Sequence, residues 1–201
     1  MSHVTAESLI AGFPYLTGRP SLDYVAVDVP AEKLLEFAGA LRDTHGFSML
    51  ADVAGVDWDK ASPRFSVVYH FYNGETKQFL RVNCAAPDDA DPVVPSLTPL
   101  YGIANWHERE AFDLVGIRFA GHPDLRRILM WDTYPYHPLR KEFPLAGIDT
   151  DLPAEDVAAE TGERVIAAPM AGGPFVSHGG TLADGEPRAL DQSWNEKNPK
   201  L

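Results

Sequence analysis

The sequence predicts an α+β fold in which a small mixed or antiparallel sheet is covered by helices and followed by a long extended C-terminal arm. Three observations predict it. Three β-prone runs follow one another at 47–58, 65–72 and 77–83, two stretches carry apolar residues at helical spacing, and past residue 146 the pattern gives way to Gly, Pro and Asp. With 201 residues, 45% of them hydrophobic, there is enough apolar material to bury one sizeable core. The expected division is a domain at 1–148, taking in the second helix and a basic loop segment, and an arm at 149–201.

Residues 21–29 are β-prone, and Pro30 leads into a helix over 31–41. Leu34, Leu35, Ala38 and Leu41 form its apolar stripe, and Gly46 lies past its end as a stop. Between the second and third β-prone runs stands Asn73-Gly74, a hairpin signal, because a type I′ turn needs two residues at positive φ. Residues 85–95 hold three prolines and three aspartates and read as a loop. A second helix follows, with Thr98 as cap and Pro99 in its first turn. Leu100, Ile103, His107, Ala111 and Leu114 line up on one side of it, and Gly116 closes it.

The formal charge of −12 disfavours a phosphate-backbone binder, since such affinity rests on Lys and Arg displacing counterions. No apolar stretch approaches the roughly 20 residues that span a bilayer, and residues 1–16 lack the basic and apolar regions of a signal peptide. Cys84 is the only cysteine. One thiol cannot build a usual iron-sulfur or Cys-rich zinc site, and beside Phe79, Leu80 and Val82 it reads as a small buried hydrophobe.

The densest polar cluster is Trp106-His107-Glu108-Arg109-Glu110 with Asp113. A zinc hydrolase of the HExxH type needs a second His at 111, where this chain has Ala. Glu108 and Glu110 stand two apart and point to different sides of a helix, so they do not form an acid/base pair. Arg109 and Asp113, four apart, are expected to pair, but an exposed pair contributes only about 0.3–0.5 kcal/mol. The cluster therefore reads as a solvated face or a docking face. Two proline-stiffened elbows follow, Gly121-His122-Pro123-Asp124-Leu125-Arg126-Arg127 and Tyr136-His137-Pro138-Leu139-Arg140-Lys141, each ending in cations that can fork onto carboxylates or carbonyls. Their cations meet either the acidic remainder of this chain or another subunit. His107, His122 and His137, fifteen apart, have no metal-ligand spacing and read as structural histidines. Gly172-Gly173 and Gly179-Gly180 lack the Lys-Ser/Thr of a P-loop, so no nucleotide site is supported.

Three runs taken together resemble the C, or 30 kDa, subunit family of proton-pumping NADH:quinone oxidoreductase, respiratory complex I. They are Ala104-Asn105-Trp106-His107-Glu108-Arg109-Glu110-Ala111-Phe112-Asp113-Leu114-Val115-Gly116-Ile117, then 119–129, then His137-Pro138-Leu139-Arg140-Lys141-Glu142-Phe143-Pro144-Leu145. Tyr136 stands where the family commonly has Gly, and Glu142 where it commonly has Asp. The resemblance implies a subunit with no redox centre, peripheral on the cytoplasmic face of the membrane and packed beside the D (49 kDa) subunit of the hydrophilic arm. NADH, FMN, iron-sulfur clusters and quinone would then belong to partner subunits. Trp106, Glu108, Arg109, Glu110, His122, Arg126, Arg127, His137, Arg140, Lys141 and Trp194 are the expected docking residues. Membrane-bound hydrogenases and other donor-driven complexes use a similar subunit and form the alternative assembly. A free-standing anion-binding hydrolase using His107, Arg126 and Arg127 is the alternative of another class.

Residues 142–201 carry eleven Asp or Glu against four Arg or Lys, which is −7 of the net −12. Pro153, Pro169, Pro174, Pro187 and Pro199 break any regular element there. An arm that orders against a partner through Val165-Ile166, Phe175-Val176 and Trp194 is the expectation.

Overall fold

A computed structural model of the protein describes residues 3–143, so the arm at 149–201, its anchors including Trp194, and the boundary at 148 lie outside the described residues. The chain divides into two compact units, Met1–Asp132 and Thr133–Leu201. The first holds every element described below.

The unit opens on α1 (Ala6–Gly12), an element that the sequence pattern does not predict. Its start is a reciprocal capping box in which the Thr5 side chain accepts from the Ser8 amide at 3.2 Å and the Ser8 side chain from the Thr5 amide at 3.0 Å. With only Leu9 buried, so short a helix leaves little periodic signal. The five-stranded sheet runs β1 (Thr17–Gly18), β2 (Val25–Asp28), β5 (Gln78–Ala85), β4 (Phe65–Asn73) and β3 (Met49–Asp57) in spatial order. β2 and β5 are parallel and the other neighbours antiparallel, so the sheet is mixed.

Register explains which side of the sheet is buried. Val27, Val82, Tyr69 and Val53 stand opposite one another across four strands, and none exceeds 3% exposure. One residue along, Ala26, Arg81, His70 and Asp52 form the next row, which must point to the other face because strand side chains alternate. A 3-10 turn (Ala31–Lys33) leads into α2 (Leu34–Asp43), whose Leu34, Phe37, Ala38 and Leu41 join the same continuous core. These positions are i, i+3, i+4 and i+7, a stripe that takes in Phe37 and leaves Leu35 exposed, correcting the expected one. Burying each of the three large side chains contributes about 1.5–3 kcal/mol.

The 73–78 connection is a hairpin but not the two-residue turn expected from Asn73-Gly74. Asn73 pairs with Gln78, and four residues loop between them. The Asn73 side-chain oxygen accepts from the amides of Glu75 at 2.9 Å and Thr76 at 3.1 Å, and the positive φ falls on Lys77 at 54°. The amide side chain thus organises the loop from its first residue and passes the strained position to its last.

Within the expected loop at 85–95, β6 (Val93–Pro95) forms and pairs in parallel with β7 (Arg118–Ala120). Between them lies α3 (Ala104–Val115), closed by Gly116 at φ 81°. It starts later than the Thr98-Pro99 signal predicts. Residues 97–101 wind instead into a tight turn, because the Tyr101 hydroxyl donates to the Phe47 carbonyl at 2.8 Å and Leu97 is fully buried. Tertiary anchoring overrides the local cap there.

α3 packs on β3 at Gly55, where a Cβ would stand 3.1 Å from the Ala111 methyl and 3.3 Å from a Val115 methyl. Gly55→Val therefore overpacks this contact and is expected to destabilise the protein by about 1–3 kcal/mol, read as a lower urea midpoint at unchanged m.

Candidate functional site

α3 turns Glu108 and Asp113 of its polar cluster inward and leaves Glu110 outward, and the two buried carboxylates organise the surface around the helix. The Glu108 carboxylate, with no exposed area, accepts from the Ser96 hydroxyl at 2.6 Å and the Leu97 amide at 2.7 Å, fastening the end of β6 to the helix. Ser96 in turn shares a 2.7 Å hydrogen bond with the Thr98 hydroxyl. Burial pushes the Glu108 carboxyl up to about 7, further than these two hydrogen bonds bring it down.

Asp113, also without exposed area, holds the other side. One carboxylate oxygen accepts from three successive amides, Ile128 at 2.9 Å, Leu129 at 2.6 Å and Met130 at 2.8 Å. The other accepts from the Arg127 guanidinium at 2.6 Å. Burial alone would raise this carboxyl, but the amides of Met130, Leu129 and Ile128 together with Arg127 hold it below the ordinary value. One turn earlier, Arg109 donates to the carbonyls of Arg126 and Arg127, both at 3.1 Å, and its guanidinium lies 5.3 Å from the Trp106 ring centre. Segment 126–130 is therefore pinned to one face of α3 by an arginine and an aspartate four residues apart.

This corrects the expected Arg109–Asp113 pair. Each of the two side chains serves the loop instead, because its backbone offers both a row of donors and a pair of acceptors. The expected docking residues differ in how much surface they offer. Glu108 has no surface to offer, Arg109 is 7% exposed, and Arg127 is committed to Asp113. Of the expected docking residues in this unit, Trp106 at 58% exposure, Glu110 and Arg126 face outward. Ile103 and Leu129, absent from the expected set, are exposed apolar residues three positions before Trp106 and three after Arg126. Arg126 itself pairs with Asp124 at 2.9 Å.

His122 is a structural histidine. Its Nδ1 accepts from the Asp124 amide at 3.0 Å, so its Nε2 donates to the Asn105 carbonyl at 3.1 Å. His107 lies 3.9 Å from Asp52, away from Arg127, so the triad of the hydrolase reading does not converge. In the second unit, turns join Arg140 to His137 and Phe143 to Arg140, the Tyr136 ring packs on Phe143, and Arg140 stands 3.9 Å from Glu142. Cys84 is fully buried and burial pushes its thiol up to about 12, the behaviour of a packing residue. Among the described residues no group of three or more His, Cys, Asp or Glu is arranged to hold a metal. No helix there is long and apolar enough to cross a membrane.

The sequence profile of the family described as respiratory-chain NADH dehydrogenase, 30 Kd subunit, matches residues 27–149. The protein belongs to this family. It is 48% identical over 126 residues to the C 2 subunit of NADH-quinone oxidoreductase from Rhizobium etli, an alignment covering 62% of this chain and 66% of that protein. It is 48% identical over 118 residues to the C subunit of the same enzyme from Phenylobacterium zucineum, covering 59% of this chain and 56% of that protein. The match thus spans a little over half to about two thirds of these relatives' own length. A C/D subunit from Sulfurihydrogenibium sp. is 39% identical over 153 residues, covering 74% of this chain and 26% of that protein. Among solved structures, a trypsin-resistant fragment (1–134) of Nqo5 matches with a TM-score of 0.51 at 33% identity, covering 59% of this chain and 94% of the fragment. A chain from the structure of the membrane-bound sulfane sulfur reductase, an archaeal respiratory membrane complex, matches with a TM-score of 0.59 at 25% identity, covering 78% of this chain and 89% of that one. The profile takes in all of α3, the pinned loop and the second His-Pro elbow, the three stretches that carry the family resemblance.

Proposed function

We propose that the protein is the C (30 kDa) subunit of a quinone-reducing, proton-pumping NADH dehydrogenase and works by docking, with the D (49 kDa) subunit as its neighbour. One observation carries the reading. α3 buries Asp113 and Arg109 against segment 126–130 and Glu108 against Ser96 and Leu97, and leaves Trp106 outward over Arg109, an aromatic anchor on a rigid base. The relative named as a C/D subunit supports the choice of partner, since a fusion keeps two neighbouring proteins together. In this reading the electron carriers, NADH, FMN, iron-sulfur clusters and quinone, sit in partner subunits, and this chain holds none. Attachment to the cytoplasmic face of the membrane comes through those partners.

Co-purification of the full-length protein with the D subunit tests the proposal. Trp106→Ala is expected to weaken that complex by about 2–4 kcal/mol, or 30-fold to nearly 1000-fold, while the isolated protein melts as before because the ring is exposed. Undiminished binding would place the interface elsewhere. Metal and acid-labile sulfide content and the visible spectrum of the purified protein test the absence of carriers, and stoichiometric iron or flavin would overturn it. The likeness to a chain of the sulfane sulfur reductase complex favours a second reading, the equivalent subunit of a membrane complex with another electron donor. Electron-donor specificity of the assembly purified from its native membrane separates the two.

A further inference from the structure

On the face of the sheet opposite the core that α2 joins, a row of polar side chains runs across three strands without interruption. Asp23, in the connection before β2, takes the Arg81 guanidinium in a two-pronged grip at 3.0 and 2.9 Å. Arg81 also donates from Nη1 to the Ser21 hydroxyl at 3.2 Å and lies over the Tyr24 ring at 5.4 Å. Its remaining direction, Nε–H, donates to Nε2 of His70 at 2.9 Å. Nδ1 of His70 stands 3.4 Å from one carboxylate oxygen of Asp52, whose other oxygen is 3.9 Å from Nδ1 of His107 on α3.

The chemistry of the arginine decides the state of the histidine. A guanidinium has only donors and keeps its protons, so the Nε2 that receives Arg81 must carry a lone pair. The ring proton of neutral His70 is then on Nδ1, directed at Asp52. A second proton on His70 can go only to Nε2, where it sets two donors against each other. The charged and titratable groups on the His70 side among the described residues are Arg81 from β5, Asp52 from β3 with His107 of α3 behind it, Tyr72 two residues along β4 on the same face, and Asp23 and Tyr24 from the connection. Asp52 welcomes a charged ring, whereas Arg81 is driven off by it.

We propose that His70 is an acid-operated latch on the Arg81 head: the guanidinium that grips residues 21–23 is fixed in place by the ring and freed to shift, with the segment it grips, when the ring takes its second proton. The bonds of Arg81 to Asp23 and Ser21 do not involve the ring and persist, and because Arg81 belongs to β5 the segment moves with the guanidinium and stays tied to the sheet. The segment that shifts carries Leu22, whose side chain is already fully exposed, and Tyr24, packed on Phe79 with ring centres 5.1 Å apart. Among the described residues the row touches α3 only through the 3.9 Å approach of His107 to Asp52, and its test reads the protein without its partner, so its failure is distinguishable from failure of the D-subunit reading.

The experiment is a nitrogen-15 NMR titration of the full-length protein across the range in which histidines ionise. In the wild type the backbone amides of Ser21, Asp23 and Tyr24 and the Arg81 Nε–H resonance are expected to shift with the same midpoint as the His70 ring. His70→Gln places a side-chain carbonyl oxygen within reach of Arg81 that gains no proton, so those shifts are expected to vanish, while His107→Gln retains them. Shifts that persist in His70→Gln, or a wild type that shows none as its ring titrates, would overturn the latch. Should the Gln variant fail to fold, the imidazole nitrogen shifts of the wild type at neutral pH decide it. A lone-pair nitrogen at Nε2 and a protonated Nδ1 are expected, and the reverse tautomer sinks the proposal.

Discussion

Asp113→Ala is expected to destabilise the protein by about 3–5 kcal/mol, a large part of the roughly 5–15 kcal/mol that holds a domain of this size. The substitution removes one acceptor group and strands three donors, the amides of Ile128, Leu129 and Met130, while the Arg127 guanidinium loses the carboxylate but keeps the Asp113 carbonyl at 3.2 Å. Each buried donor left unmatched costs about 1–3 kcal/mol, offset where the freed loop can reach water. Hydrogen exchange should report the loss locally, with the amides of 128–130 losing protection first. Asp113→Asn keeps the shape but presents an NH2 toward a donor, and is expected to fall between wild type and alanine. The pH dependence follows from the direction of the shift. A carboxyl held below its ordinary value in the folded state contributes stability that is present above the ordinary carboxylate range and lost as pH falls through the lower folded value. A loss under about 1 kcal/mol with 128–130 still protected would mean that the loop is held by something other than this carboxylate. Because this loop adjoins the proposed docking face, Asp113→Ala should also lower the yield of assembled complex.

Glu108 behaves in the opposite sense. A folded-state value of about 7 against an ordinary 4.5 means that the native state keeps a proton that the unfolded state has released. Stability contributed by this group therefore falls as pH rises from about 4.5 to about 7, by on the order of 3 kcal/mol, and stays low above that. Glu108→Gln removes the ionisation and still fits the site. Its carbonyl oxygen can accept from Leu97 N–H, and its NH2 can donate to the Ser96 hydroxyl, which then donates to Thr98. The glutamine variant is expected to match wild type near pH 5 and to exceed it by about 2–3 kcal/mol near pH 8 in urea unfolding. Glu108→Ala, which leaves the Leu97 amide and a cavity, should be less stable at both pH values. Equal stability of the glutamine variant and the wild type at pH 8 would show that the buried carboxyl ionises without penalty.

Glu108 and Asp113 mark the limit of what the residues alone reveal. Both stand out in the 106–113 cluster, and local spacing offers Asp113 a partner four residues away on the same helix. Its actual partners are 14 to 17 residues further on and are mostly backbone amides, which every residue but proline carries and no sequence pattern marks. Ser96 escapes notice for the same reason, since one hydroxyl twelve residues before Glu108 is unremarkable until β6 brings it there. Arg126 and Arg127 look alike in sequence, yet one is exposed beside Asp124 and the other is spent inside on Asp113.

By itself the sequence determined the β-prone runs that become β3, β4 and β5, the helix after Pro30, the glycine that ends α3, the packing role of Cys84 and the family. These follow from local period, from the left-handed backbone that glycine tolerates, and from runs of residues in fixed order. Only the tertiary structure decided where α3 begins, which turn closes the 73–78 hairpin, and which cluster residues face inward. At the start of α3 and in the cluster a contact beyond the local pattern outweighed the local preference, and in the hairpin the Asn73 side chain bonded the loop amides instead of leaving a two-residue turn. Tyr101 reaches the Phe47 carbonyl and takes the turn before α3 away from Thr98, and the loop amides draw Asp113 away from Arg109. A cap or an exposed helix pair is worth about 1 kcal/mol or less, below what a buried carboxylate gains when several hydrogen bonds satisfy it.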